Sequence, residues 1–155
     1  MEGEEKSMKI VIGNDHAGVD LKFILLEEMK EIGLDVTNLG VDTEESVDYP
    51  DVAAEVGRAV ADGEAKFGVL VCGTGLGVCI AANKIRGVRA VKCCFEYEAR
   101  MAREHNYANV LCIGSRVTGS ELAKSIVAAF IATAGSEEQR HIERGRKINA
   151  LDDAR

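Results

Sequence analysis

Two hydrophobic periods alternate along the chain. Lys9–Asn14 is a short β-branched run and predicts a strand. Residues 19–32 predict a helix with Leu21, Ile24, Leu25, Met29 and Ile32 on one face, ended by Gly33. Residues 34–39 read as a second strand. Pro50 opens a helix to about Asp62, with Val52, Ala53, Val56 and Val60 inward. Phe67–Cys72 is apolar without alternation, which predicts a strand buried on both faces. A glycine-rich loop and a short helix near residues 78–84 follow. Residues 88–93 predict a fourth strand, Glu96–Asn106 a helix and Val110–Gly114 a fifth strand. A strongly apolar helix over residues 120–133 and a markedly polar one over about 136–151 complete the pattern. Strands separated by such helices predict βαβ units, a parallel sheet and helices on both its faces. Ligands of such sheets bind beyond the carboxyl ends of the strands. The loops to inspect are therefore 14–18, 38–48, 72–77, 93–96 and 114–119.

Composition narrows this picture. The 155 residues fit one domain, and 46% hydrophobic with 29% charged residues is ordinary for a globular protein. No apolar run reaches membrane-spanning length, and no charged-then-apolar leader opens the chain. Residues 1–7 carry three glutamates and read as a disordered leader or tag remnant, leaving 8–155 as the domain. The net charge of −7 and an aromatic content of 5% without tryptophan disfavour a nucleic-acid partner. Of that charge the first seven residues hold −2, so the domain carries about −5. The cysteines, Cys72, Cys79, Cys93, Cys94 and Cys112, are odd in number and form no C-x-x-C pair. They read as reduced thiols of a cytoplasmic protein, and no histidine stands at zinc-ligand spacing.

Four segments carry chemistry. Cys72-Gly73-Thr74-Gly75-Leu76-Gly77 ends the third strand. Alternating glycines turn backbone N–H groups inward, a nest for a phosphate or an oxyanion, and Cys72 at its mouth sits where thiolate is favoured. The bland alternative is a tight turn with a structural cysteine. The loop is neither a P-loop nor a G-x-G-x-x-G fingerprint. A dinucleotide fold would have to begin at the third strand, with Glu96 as its ribose-binding acid. Asn14-Asp15-His16-Ala17-Gly18 ends the first strand and suits a hydroxylated ligand, or simply caps the next helix. Arg103-Glu104-His105-Asn106 closes a helix, so His105 is either a general acid/base or a complement to the helix dipole. In Arg140-His141-Ile142-Glu143-Arg144, Arg140 and Arg144 stand i,i+4 and present two guanidinium forks that fit a phosphate dianion, unless they belong to a solvated polar face. Gly145 interrupts that helix without an evident reason. Tyr49, before Pro50-Asp51, lies on the ligand edge with a hydroxyl to offer. The other cysteines read as core residues.

Together with Asp48-Tyr49-Pro50-Asp51 and Ala81-Ala82-Asn83-Lys84, these motifs resemble the ribose-5-phosphate isomerase type B family over about residues 8–149. That family also includes galactose-6-phosphate and allose-6-phosphate isomerases. The resemblance implies an αβα sandwich with a five-stranded parallel Rossmann-like sheet in the order 2-1-3-5-4. It also implies a homodimer or homotetramer with active sites shared between chains, the C-terminal helix packing on a partner. The implied reaction interconverts an aldose and a ketose phosphate of the non-oxidative pentose phosphate pathway through an enediolate, with no metal and no organic cofactor. Cys72 looks like the base, and Gly73, Gly75, Leu76 and Gly77 like the anion hole. Thr74 and His105 look like ring-opening groups, His105 arriving from the partner with Asn106. Asp15 looks like a sugar or ring-opening contact, and Tyr49 is a further substrate contact. His16, Arg140 and Arg144 look like phosphate ligands, with Arg116 another from a neighbouring chain. One branch of the family has a glutamate base at the position of Val78; this chain keeps Cys72. The full set on one chain favours the pentose substrate over a six-carbon one. A non-catalytic module that binds a nucleotide or sugar phosphate is the reading from another class.

Overall fold

The computed structural model describes residues 7–154, so the leader reading falls, Ser7 apart, outside the described residues. Five strands, β1 (Lys9–Asn14), β2 (Asp35–Asn38), β3 (Phe67–Cys72), β4 (Ala90–Lys92) and β5 (Val110–Gly114), form one sheet. Its order is β2-β1-β3-β5-β4 and every pairing is parallel, as the resemblance implied. The helices are α1 (Val19–Glu31), α2 (Tyr49–Ala61), α3 (Leu76–Ala82), α4 (Glu96–Asn106), α5 (Ser120–Ala132) and α6 (Gln139–Ala150). Single 3₁₀ turns precede α1 (His16–Gly18) and follow α6 (Leu151–Ala154).

Two apolar layers enclose the sheet. One joins Ile10, Ile12, Val69 and Val71 to α1, α4 and α5. The other joins Val11, Leu70, Cys72 and Cys112 to α2 and α3. All six residues of β3 are buried because alternate side chains feed opposite layers. On the first layer Phe67 meets Phe130 edge to face at 5.4 Å, and the Arg103 guanidinium lies 4.4 Å from the Phe67 ring centre.

Several boundaries differ from expectation. The short helix begins at Leu76, two residues early, because Gly75 already supplies its left-handed cap. β4 keeps three residues, since Val88 N–H closes the preceding turn on Ile85 and Arg89 N–H donates to the Asn109 side chain. The buried face of α1 is Val19, Leu21, Lys22, Leu25, Leu26 and Met29. Ile24 and Ile32 point to solvent, 37% and 57% exposed, and a lysine takes the central inward position. Cys93 and Cys112 are core residues, but Cys79 and Cys94 are half-buried.

Candidate active site

β1, β3 and β5 end side by side, and the loops beyond them are hydrogen-bonded into one edge. Asp15 N–H donates to the Val71 carbonyl at 3.2 Å, Ser115 N–H to Cys72 at 2.8 Å and Arg116 N–H to Gly73 at 3.0 Å. The Ser115 hydroxyl donates to the Ala17 carbonyl at 2.7 Å. Cys72 sits within this lacing, 5% exposed, as the last residue of β3. Gly75 N–H points back to its Sγ at 3.1 Å. That reversal needs φ of +76° at residue 75, a conformation that glycine adopts without steric cost. Leu76 N–H closes on Thr74 Oγ1 at 3.3 Å. Two N–H groups of the expected anion hole are thus engaged by side chains of the loop itself.

The remaining groups of this edge surround the sulfur loop. The Tyr49 ring, at the first residue of α2, covers Gly77 so closely that a Cβ there would meet it at 2.7 Å. Arg116 was expected to act across a subunit boundary. In its own chain it lies over Gly73, its Nη1 3.0 Å from where a Cβ would stand. Asp15 is 7% exposed, and its Oδ1 caps the 3₁₀ turn by accepting from Ala17 N–H at 3.0 Å. His16 Nδ1 accepts from Val47 N–H at 3.3 Å, so a neutral ring carries its proton on Nε2. Among the described residues, no three His, Cys, Asp or Glu side chains converge as a metal site, and no helix is long and apolar enough to cross a membrane.

His105, Asn106, Arg140 and Arg144 are not part of this edge within one chain. α4 leads into the amino end of β5, where Val110 pairs with Gly68 and Ala90, whereas Cys72 pairs with Gly114 at the other end. Four residues of strand separate the two levels, roughly 13 Å. At the far edge α6 packs on α4. The His105 and His141 rings stack with centroids 4.2 Å apart and planes within 2°. Tyr107 donates its hydroxyl to the Ser136 carbonyl at 2.6 Å, and Ser136 N–H donates to Glu104 at 2.9 Å. The unexplained Gly145 has its reason here: a Cβ on it would meet the Tyr107 ring at 3.0 Å. Arg140 and Arg144 are exposed, and Arg140 Nε holds Glu138 at 2.7 Å.

Sequence reading missed four positioning groups. Lys22 is fully buried, donates from Nζ to the Val41 carbonyl at 3.0 Å and pairs with Asp42, fastening α1 to the loop over residues 39–48. The lysine holds the Asp42 carboxyl below its usual range. Ser115 and Tyr107 act through single hydroxyls that leave no periodic trace. His141 stands in one motif with Arg140 and Arg144, but sequence reading gave it no role of its own. Burial first, then His105, Arg140 and Arg144, hold its pKa below the ordinary histidine value, against an opposite pull from Glu138. Half-buried Cys79 packs against the second layer, and a hydrogen bond from Cys112 lowers its thiol to about 7.

A parallel sheet covered by helices on both faces, with Cys72, the glycine loop, Asp15, His16 and Tyr49 at its carboxyl edge, defines the class of doubly wound α/β proteins, whose ligands bind beyond that edge. The sequence profile described as Ribose/Galactose Isomerase matches residues 10–148. The chain belongs to that family. It is 46% identical over 147 residues to "Ribose-5-phosphate isomerase B" of Escherichia coli, covering 95% of this chain and 98% of that one. It is 45% identical over 125 residues to "D-erythrulose-4-phosphate isomerase" of Pectobacterium atrosepticum, covering 80% and 82%. The solved structure of Clostridium thermocellum ribose-5-phosphate isomerase B superimposes with a TM-score of 0.92 at 46% identity, covering 95% of this chain and 99% of that one.

Proposed function

We propose that this chain is an aldose–ketose isomerase that interconverts D-ribose 5-phosphate and D-ribulose 5-phosphate. The observation that carries the reading is a buried cysteine at the mouth of a glycine loop, with a backbone N–H aimed at its sulfur. The Cys72 thiolate takes the C2 proton of the open-chain aldose, and the electron pair moves through C1 to O1 to give an enediolate. Return of a proton to C1, with the O2 proton passing to O1, yields the ketose. Backbone N–H groups of the 73–77 loop other than those of Gly75 and Leu76, which its own side chains engage, stabilise the enediolate oxygen; losing one such donor typically costs about 2.7–4 kcal/mol. His16, Arg116, Arg140 and Arg144 hold the phosphate, Tyr49 and Asp15 the sugar, and Thr74 and His105 open the furanose.

These groups meet only if a second chain brings its His105, Asn106, Arg140 and Arg144 to the Cys72 edge of the first. Exposed Leu76, Ile80 and Val117, more than half exposed beside that edge, support a homodimer as the smallest active unit. The reading places the enzyme in the cytoplasm and in the non-oxidative pentose phosphate pathway.

The deciding experiment is ribulose 5-phosphate formation by the purified chain. Cys72→Ala is expected to lower kcat about 10²–10⁴-fold, as loss of a proton-transfer group does. Full activity in that variant would remove Cys72 as the base. Assay of allose 6-phosphate beside ribose 5-phosphate ranks the six-carbon alternative by kcat/KM.

A further inference from the structure

The histidine assigned to ring opening lacks the support such a ring usually has. An imidazole that exchanges protons is commonly oriented through one ring nitrogen by a carboxylate. Here the neighbouring Glu104 carboxylate stands 3.9 Å from His105 Nε2, beyond hydrogen-bond distance. A second ring takes its place. His141, 5% exposed, lies parallel to His105 at 4.2 Å.

The physical effect of a stack differs from that of a hydrogen bond. The torsion that turns an imidazole about Cβ–Cγ is broad and two-fold, so a free ring samples many planes. Contact across the ring face stops that rotation and leaves both nitrogens, which lie on the ring edge, free for a ligand. His141 is itself well held. It shares the buried stripe of α6 with Gly145, against which Tyr107 packs, and Tyr107 and Ser136 lock the start of α6 to the end of α4.

We infer that His141 is a positioning residue that fixes, by stacking, the plane in which His105 presents its nitrogens to the sugar. The inference rests on the isomerase reading and on the ring-opening role of His105. It also gives α6 two adjoining tasks: Arg140 and Arg144 on the exposed stripe grip phosphate, and His141 on the buried stripe braces the acid/base.

The test compares His141→Ala, His141→Phe, His105→Ala and the double alanine variant on ribose 5-phosphate, with thermal melts to verify folding. His141→Ala is expected to lower kcat about 10- to 100-fold, the effect of loosening a positioned group, with KM changed less than about twofold. His141→Phe restores a flat ring without nitrogens and recovers most of kcat. The double variant is no slower than His105→Ala, because His141 acts only through His105. His141→Leu, which fills the space without a flat ring, replaces the alanine variant if that chain does not fold. The inference is overturned by an undiminished kcat without the ring, by a folded His141→Phe as slow as the ringless variant, or by additive losses in the double variant. A wild-type chain inert on ribose 5-phosphate sinks the isomerase reading itself, which separates the two failures.

Discussion

A ring-opening residue matters only to a sugar that closes a ring. His105→Ala is therefore expected to slow turnover of ribose 5-phosphate, which must open its furanose first, by about 10²-fold or more. Undiminished turnover in that variant would remove His105 from ring opening. A pH prediction belongs to its stacking partner. His141 is faced by His105 of α4, by Glu138, and by Arg140 and Arg144 of its own helix. Its folded-state value lies below that of the unfolded chain, so the unfolded state takes up the proton first as pH falls. The stability that neutral His141 contributes is full above about 6.5 and diminishes below it, until the folded state is protonated too. Denaturant midpoints measured against pH should show this slope in the wild type and lose it in His141→Phe. At this scale Cys72, Thr74 and the glycines were legible as a motif because local spacing shapes a loop. His141 was not, since a stack across two helices has no spacing to read.

Among the elements, the loop over residues 39–48 shows how a buried charge can fasten a segment. Lys22 has no exposed side-chain surface, whereas the Asp42 side chain is 60% exposed. The two partners are therefore unequal. Asp42→Asn leaves a buried ammonium with only neutral acceptors, but Lys22→Met leaves a carboxylate that water can solvate. Chemical denaturation is expected to find Asp42→Asn the more destabilising; the reverse order would mean the lysine is retained for the loop's shape alone. The α1 helix was legible in extent and misread in orientation for the same reason. Hydrophobic periodicity counts a lysine as a solvent position, so the expected face rotated toward Ile24 and Ile32. Elements with uniform burial, such as β3 and β5, were readable to the residue because no polar partner competes with their pattern.

The whole molecule divides its candidate site between two edges, and the sequence order hides this. His105 follows Cys72 by 33 positions, yet the parallel strands carry it to the opposite end of the sheet. Spacing along a chain says which residues share an edge only after the sheet direction is known. Complementation tests the division. In random pairs of Cys72→Ala and His105→Ala chains, half the dimers are mixed, and each mixed dimer holds one intact site. Activity is expected to return to about one quarter of wild type in a two-fold symmetric dimer. No recovery, with mixed dimers demonstrated, would place a complete site in each chain.

One contact described at the carboxyl edge has a further consequence for how the chain is made. The Ser115 hydroxyl reaches the Ala17 carbonyl across 98 positions of sequence. Contacts of such separation close late, because the entropy of a long loop must be overcome before they form. β1 lies inside the sheet, and β5 inserts between β3 and β4. A chain emerging from the ribosome can therefore pair β1, β2 and β3 while its reactive edge is still open. That edge is laced shut only when β5 and Ser115 arrive, so the cysteine acquires its surroundings near the end of folding.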